Sequence, residues 1–342
     1  MRKRKFRLGS ILDEIAQRVN PVMEKILSSY VDKKNQEIVK YQILTGGKRL
    51  RPALAAIVCR MLGGKLEDVL YPAAGLEILH NYTLIIDDII DNSVLRRGEK
   101  TVWAKFGKSI AECAAADYSA AIFQTANLAK EPIKISELFA RAIKAITDGQ
   151  ILDILFEQQG REEEPYVIKN RYLKITDKDY LEMVKKKTAF LFQTCCEVGG
   201  IIASAKEKEL ENLRSYGFNI GIAFQIQDDI LDIFGEKKIF GKKIGKDITE
   251  KKGGNVVILL ALKELPRREK EKILGIMKKE KINNKDVEEA IKLINRTDGR
   301  QKAYQFGKKF VCKAKENLNF LPKNKWNDIL KEIANFVLER GK

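Results

Sequence analysis

Apolar residues recur at intervals of three and four along most of the chain. In GLEILHNYTLIIDDII (75–90) and LRSYGFNIGIAFQIQDDILDIFG (213–235) this spacing draws one apolar stripe along a helix, and no series of alternating apolar and polar residues marks a sheet. The pattern predicts an all-α fold. Pro72 fits a first-turn position of the helix carrying Asp87, the DNS at 91–93 offers its stop, and Gly235 falls just past the end of the helix carrying Asp228.

Both helices carry aspartates where the pattern asks for core. Asp87, Asp88 and Asp91 interrupt one run of Leu and Ile, and Asp228, Asp229 and Asp232 repeat the spacing downstream. Residues four apart share a helix face, so each DDxxD presents two carboxylates about one turn apart. Both copies sit at the C-terminal end of a helix, where the partial negative charge disfavours acids. Unpaired carboxylates against an apolar wall cost several kcal/mol by order of magnitude, so a cation is required. Mg²⁺ suits them: it takes one or two carboxylates and completes its shell with phosphate oxygens and water. Two facing clusters would then hold a diphosphate between them. An EF-hand is excluded, because neither cluster has the twelve-residue loop with its central Gly and terminal Glu.

Composition narrows the surroundings. The 342 residues are 44% apolar and 8% aromatic, with seven scattered prolines and no linker-like stretch, which reads as one domain over 1–342. The formal charge of +17 raises nucleic acid, acidic lipid and phosphorylated metabolites as partners without choosing among them. Much of the excess is lysine in segments such as KKEKINNKDVEEAIKLI (278–294), read as a solvated helix face. MRKRKFRLGS resembles a signal n-region, but Asp13 and Glu14 precede any apolar stretch. The longest clean apolar runs, such as VVILLAL (256–262), fall short of the roughly 20 residues that span a bilayer. No transmembrane segment is therefore expected. Five cysteines without CxxC spacing read as reduced thiols in a cytoplasmic protein. The single histidine, His80, leaves no room for a His-rich zinc site.

Basic residues agree with a phosphate ligand. GGKRLRP (46–52) puts Lys48, Arg49 and Arg51 beside a glycine pair, and Arg96 and Arg97 follow the first DDxxD. KKKTAF (185–190) supplies Lys187 and Thr188, and FGKKIGKDITEKK (240–252) supplies Lys242, Lys246 and Lys252. Arginine offers bidentate contacts to phosphate oxygens and lysine a compact charge. No P-loop is present, since GGKRL lacks the upstream Gly and the Ser/Thr.

GGKRLRP, DDIIDNSVLRRG, KTAF, FQIQDDILD and GK…GKD occur in the order found in the trans-type isoprenyl diphosphate synthases, and the chain resembles that family from about residue 10 onward. The first DDxxD, without inserted residues, looks most like that of archaeal geranylgeranyl diphosphate synthases. The resemblance implies a bundle of ten or more helices around a deep cavity, a homodimer, and three Mg²⁺ ions. By motif match Asp87, Asp91 and Asp228 would ligate the metal, with Asp88, Asp229 and Asp232 supporting. Arg96, Lys187, Thr188, Gln225, Lys242 and Lys252 would contact the allylic diphosphate. Lys48, Arg51, His80 and Arg97 would hold isopentenyl diphosphate. Catalysis would fall to Asp87, Asp88, Asp91, Asp228, Asp229 and Lys187. Leu79, Tyr82 and Thr83, up to two turns before Asp87, would limit chain length. The expected product is C20, with C15 (farnesyl) and C25 (geranylfarnesyl) as alternatives.

The chain departs from the family pattern at Ile86, where a His often precedes the Asp pair. It departs again at Ala116, where Gly-Asp is common, and after Lys252, where a Thr is often found. A terpene cyclase would not need Lys48, Arg51 and Arg97. A nucleic-acid-binding protein would be opposed by two acidic clusters that repel phosphate backbones.

Overall fold

The first Asp motif closes a long helix, Leu66–Ile90, whose last turn holds Asp87 and whose cap is Asp91. The computed structural model describes residues 2–235 and 244–340, with side chains from Leu8 onward. Most of it is helical, as the periodicity predicts. Two compact units divide the chain. One comprises residues 1–144, 190–218 and 313–335; the other comprises 145–189, 219–312 and 336–342.

In the first unit, Leu66–Ile90 packs against Lys108–Asn127 and Leu50–Met61, and Leu50–Met61 packs against Phe190–Ile202. The core is aliphatic: Leu54, Ile57, Val58, Leu76, Ile78, Leu79, Ile122 and Val198 are completely buried. Tyr118, also buried, satisfies its hydroxyl by donating to the Val39 carbonyl at 2.7 Å.

Pro72 is not at a helix start. Leu66–Ile90 begins six residues earlier, with Glu67 and Asp68 in its first turn, where the positive end of the helix favours acids. At the seventh position Pro72 lacks the amide that would bond the Asp68 carbonyl, and the helix continues through it with that one bond missing. The stop expected at 91–93 is observed, and Gly235 follows directly on the helix Glu207–Phe234.

Among the described residues one small sheet accompanies the helices. Leu95–Arg96 and Glu99–Lys100 form a two-stranded hairpin, too short for alternation to show in sequence. Its two-residue turn places Arg97 at φ 57° and Gly98 at φ 85°, the doubly left-handed geometry that matches strand twist.

In the second unit, Arg267–Met277 packs against Asn284–Ile294, which also meets Val256–Glu264. Asn283 and Asp286 form a reciprocal capping box at the start of Asn284–Ile294. That helix buries Val287, Ala290, Leu293 and Ile294 while Lys285 and Lys292 are exposed, so the lysine-rich segment is a solvated face. VVILLAL is helix, capped by Asn255, whose side chain accepts from the amides of Val257 and Ile258 at 2.9 and 3.3 Å. All five cysteines are free. Among the described residues no helix is long and apolar enough to cross a membrane.

Candidate active site

In the first unit the hairpin returns Arg96 to the helix end it follows. Arg96 donates through Nε to Asp88 Oδ2 at 2.8 Å and through Nη2 to Asp88 Oδ1 at 2.7 Å, and Nη2 lies 3.8 Å from Asp87 Oδ2. Asp88 is buried, so this two-pronged pair supplies the cation that the sequence demands of it. Asp87 and Asp91 are only partly buried and remain reachable from solvent.

The GGKRLRP loop divides its cations between structure and surface. Arg49 is buried in a left-handed conformation, donating to the Ile43 carbonyl at 2.6 Å, Asn20 Oδ1 at 2.9 Å, the Gly46 carbonyl at 3.0 Å and Glu77 Oε1 at 3.2 Å. It shapes the loop. Lys48 is exposed, and Arg97 also donates to the Gly46 carbonyl. Arg51 lies 5.0 Å from the centroid of the Phe192 ring. Burial, followed by the charges of Arg51, Arg97, Arg96 and Arg49, holds the His80 imidazole well below its ordinary range, so His80 is neutral at pH 7. Burial also lowers Arg97, with Glu77 opposing and the other guanidiniums adding to the effect. Arg49, Arg51, Arg96 and Arg97 thus surround His80 with a positive field that an anion would relieve.

Upstream of Asp87, Leu79 is fully buried and Tyr82 and Thr83 are partly buried. The Thr83 hydroxyl donates back to the His80 carbonyl at 2.8 Å.

The second unit brings together most of the other expected residues. A five-residue π-helical turn, Lys185–Ala189, carries Lys187 and Thr188. Thr188 Oγ1 donates to Gln225 Oε1 at 2.8 Å, and Gln225 Nε2 donates to Asp229 Oδ1 at 2.9 Å. Asp229 Oδ2 accepts from the Val256 amide at 3.0 Å. Burial, then the charge of Asp247, drives Asp229 well above the usual carboxylate range despite these donors. Asp232 is raised by the same two causes, while its oxygens accept from the Lys246 and Asp247 amides at 3.1 Å each. Asp228, by contrast, is partly exposed and pairs with Arg340. Lys242 lies outside the described residues.

Two acids important to this arrangement escape the motif reading. Asp153 Oδ2 lies 2.7 Å from Lys187 Nζ and 3.3 Å from Lys252 Nζ, so one buried carboxylate joins two expected diphosphate ligands. The signal was present: Asp153 stands in GQILDILF with no basic residue three or four positions away, as the DDxxD acids do. Asp247 lies within the quoted GKD, and Asn255 Nδ2 donates to it at 2.8 Å. Arg340 gives no local signal, because its partner lies more than a hundred residues away.

Metal fits this donor chemistry. The acids offer hard oxygens, and among the described residues no three His, Cys, Asp or Glu side chains gather to hold an ion unaided. Mg²⁺ needs no such cage, since it ordinarily shares its shell with substrate phosphate and water.

An all-α chain with two carboxylate-ended helices and clustered cations has the isoprenoid-synthase architecture, and solved structures bear this out. Geranylgeranyl pyrophosphate synthetase from Pyrococcus horikoshii Ot3 is 30% identical, superimposes with a TM-score of 0.87, and is matched over 98% of this chain and 99% of its own. Polyprenyl synthase from Caulobacter crescentus CB15, complexed with calcium and isoprenyl diphosphate, is 28% identical with a TM-score of 0.86 over 98% of both chains. Geranylgeranyl diphosphate synthase of Saccharolobus solfataricus is 35% identical over 98% of both chains. The family model for polyprenyl synthetase matches residues 32–294. The chain belongs to the polyprenyl synthetase family, as its ordered motifs led us to expect, and is a trans-prenyltransferase.

Proposed function

We propose that the protein is a geranylgeranyl diphosphate synthase, a single polyprenyl synthetase domain over 1–342 that condenses isopentenyl diphosphate with C5 to C15 allylic diphosphates. The supporting observation for the reaction is the cation arrangement. Lys187 and Lys252 converge on Asp153 beside the Thr188–Gln225–Asp229 chain, a set suited to a diphosphate. Support for the C20 product comes from the likeness to synthases named for it.

In this reading Asp87, Asp91 and Asp228 ligate Mg²⁺, three ions in all, with Asp88, Asp229 and Asp232 holding the helix ends in place. When bound, Mg²⁺ neutralises the negative charge that grows on the departing diphosphate. Lys187, Lys252, Arg96, Thr188 and Gln225 stabilise the same developing charge through donors fixed in advance, and Lys242 is assigned to the same diphosphate by its motif alone. Lys48, Arg51, Arg97 and neutral His80 hold isopentenyl diphosphate, whose double bond attacks the allylic carbocation. One proton is then lost, with the released diphosphate as its acceptor. The protein acts in the cytoplasm as a homodimer and binds no nucleic acid.

The test is incubation with Mg²⁺, isopentenyl diphosphate and the C5, C10 or C15 allylic diphosphate, followed by chromatography of the products. Condensation ending at C20 is expected; no condensation with any of the three would overturn the reading.

A further inference from the structure

Arg340 directly follows the C-terminal helix Lys325–Glu339, and it is held from several sides. Its guanidinium carbon lies 3.4 Å from the centroid of the Phe224 ring. Nη2 donates to the Phe224 carbonyl at 2.6 Å, and Nε donates to the Val337 carbonyl at 3.2 Å. The Arg340 carbonyl accepts from Gln227 Nε2 at 2.9 Å. Thus fixed, Nη2 stands 2.7 Å from Asp228 Oδ1. Every one of these residues belongs to the second unit.

An ordinary ion pair near the surface contributes little, because two long side chains must be immobilised to make it. Here the immobilisation is done by the Phe224 ring and two carbonyls, so the charge is in place whether or not Asp228 responds. The Asp228 side chain keeps 44% of its surface exposed and stays open to a second cation.

We infer that Arg340 is a positioning residue that competes with the divalent cation for the Asp228 carboxylate. The inference rests on the proposed role of Asp228 as a metal ligand. A metal bound to Asp228 stands beside a fixed positive charge, and like charges at such separations repel strongly where solvent is partly excluded. Binding therefore loosens the Arg340–Asp228 pair, and by reciprocity the pair weakens binding. The pair keeps the carboxylate satisfied in the metal-free protein and sets the cation concentration at which it is surrendered.

The experiment titrates the full chain with Mg²⁺ at saturating inorganic pyrophosphate and reads the half-saturation of the rise in Tm, which needs no turnover. Arg340→Gln is expected to lower that half-saturating concentration about 5- to 20-fold, while Arg340→Lys, which keeps the charge, stays near the wild-type value. In an Asp228→Asn background the same Arg340→Gln change should leave half-saturation where it was. Phe224→Leu, which removes the stacking platform, should shift it in the same direction by less, and serves where Arg340→Gln folds poorly. An unchanged or raised half-saturation in Arg340→Gln, or an equal shift without Asp228, overturns the inference. A wild-type chain with no saturable Mg²⁺ response and no condensation overturns the functional reading instead.

Discussion

Asp153 reaches Lys187 across the second unit, carboxylate to ammonium at 2.7 Å, from a helix in which its other neighbours are Ile, Leu and Phe. The contact aims a flexible lysine. Replacing Asp153 with Asn keeps the shape but removes the negative charge that Lys187 and Lys252 share, leaving Lys252 to its longer contact with Glu250 at 3.4 Å. kcat/KM for the allylic diphosphate should fall about 100-fold, the scale of a misplaced reacting group. Asp153→Glu should recover part of the loss, and steady-state kinetics on both variants would check this.

Gly149 lies one turn before Asp153 and lets two backbones approach. A Cβ placed there would stand 2.7 Å from Lys187 Cα and 2.8 Å from the Lys186 carbonyl carbon. Neither atom can swing away as a side-chain tip would. Gly149→Ala should lower stability by about 1–3 kcal/mol in urea unfolding and depress kcat as well. A variant with unchanged stability and turnover would show that the π-helical turn yields freely.

Arg96 and Asp88 form the most enclosed charge pair of the first motif, with side-chain exposures of 14% and 2%. Arg96→Met leaves a buried carboxylate without its cation and should cost about 3–5 kcal/mol. Arg96→Met combined with Asp88→Leu should recover much of that stability while leaving activity low. Denaturant melts of both single variants and the double variant form the required cycle.

His80 yields a pH dependence with a definite sign. Burial and four guanidiniums hold its folded pKa well below the ordinary 6.5. The contribution of neutral His80 is therefore complete above pH 6.5 and declines as pH falls toward the folded value, because the unfolded chain takes up the proton first. The slope approaches about 1.4 kcal/mol per pH unit. His80→Gln should remove that component. Unfolding free energies of both proteins at pH 7, 6 and 5 should converge as pH falls, and a constant difference would refute the assignment.

Tyr82, five residues before Asp87, is roughly 7.5 Å of helix away from it. If its ring limits the growing chain, Tyr82→Ala should move the product distribution beyond C20 by at least one C5 unit. An unchanged chromatogram would leave Leu79 or Thr83 as the determinant.

The helical architecture was legible because its cause is local: apolar spacing decides which face each helix buries, and the stops after Ile90 and Phe234 are written in DNS and Gly235. The Asp motifs were legible because carboxylates in apolar helix are anomalous without a partner. What was hidden lies in pairings between distant segments. The sequence does not say that Arg49 spends its donors on Ile43, Gly46, Asn20 and Glu77 while Lys48 beside it stays exposed. Nor does it say that Asp88 takes Arg96 from a hairpin of two-residue strands. Pro72 misleads as a start signal because the helix already begins at Leu66, where Glu67 and Asp68 occupy the first turn.

The five-residue turn at Lys185–Ala189 makes the length of this stretch, as much as its composition, a heritable trait. Each residue of an α-helix advances its side chain by about 100°. A single-codon deletion before Lys187 that closed the turn to ordinary α geometry would swing that side chain about a quarter-turn around the axis, away from Asp153. Point substitutions at the partly buried Lys185 or Lys186 leave the phase intact. Reading-frame-preserving indels here should be far rarer among functional descendants than amino-acid exchanges.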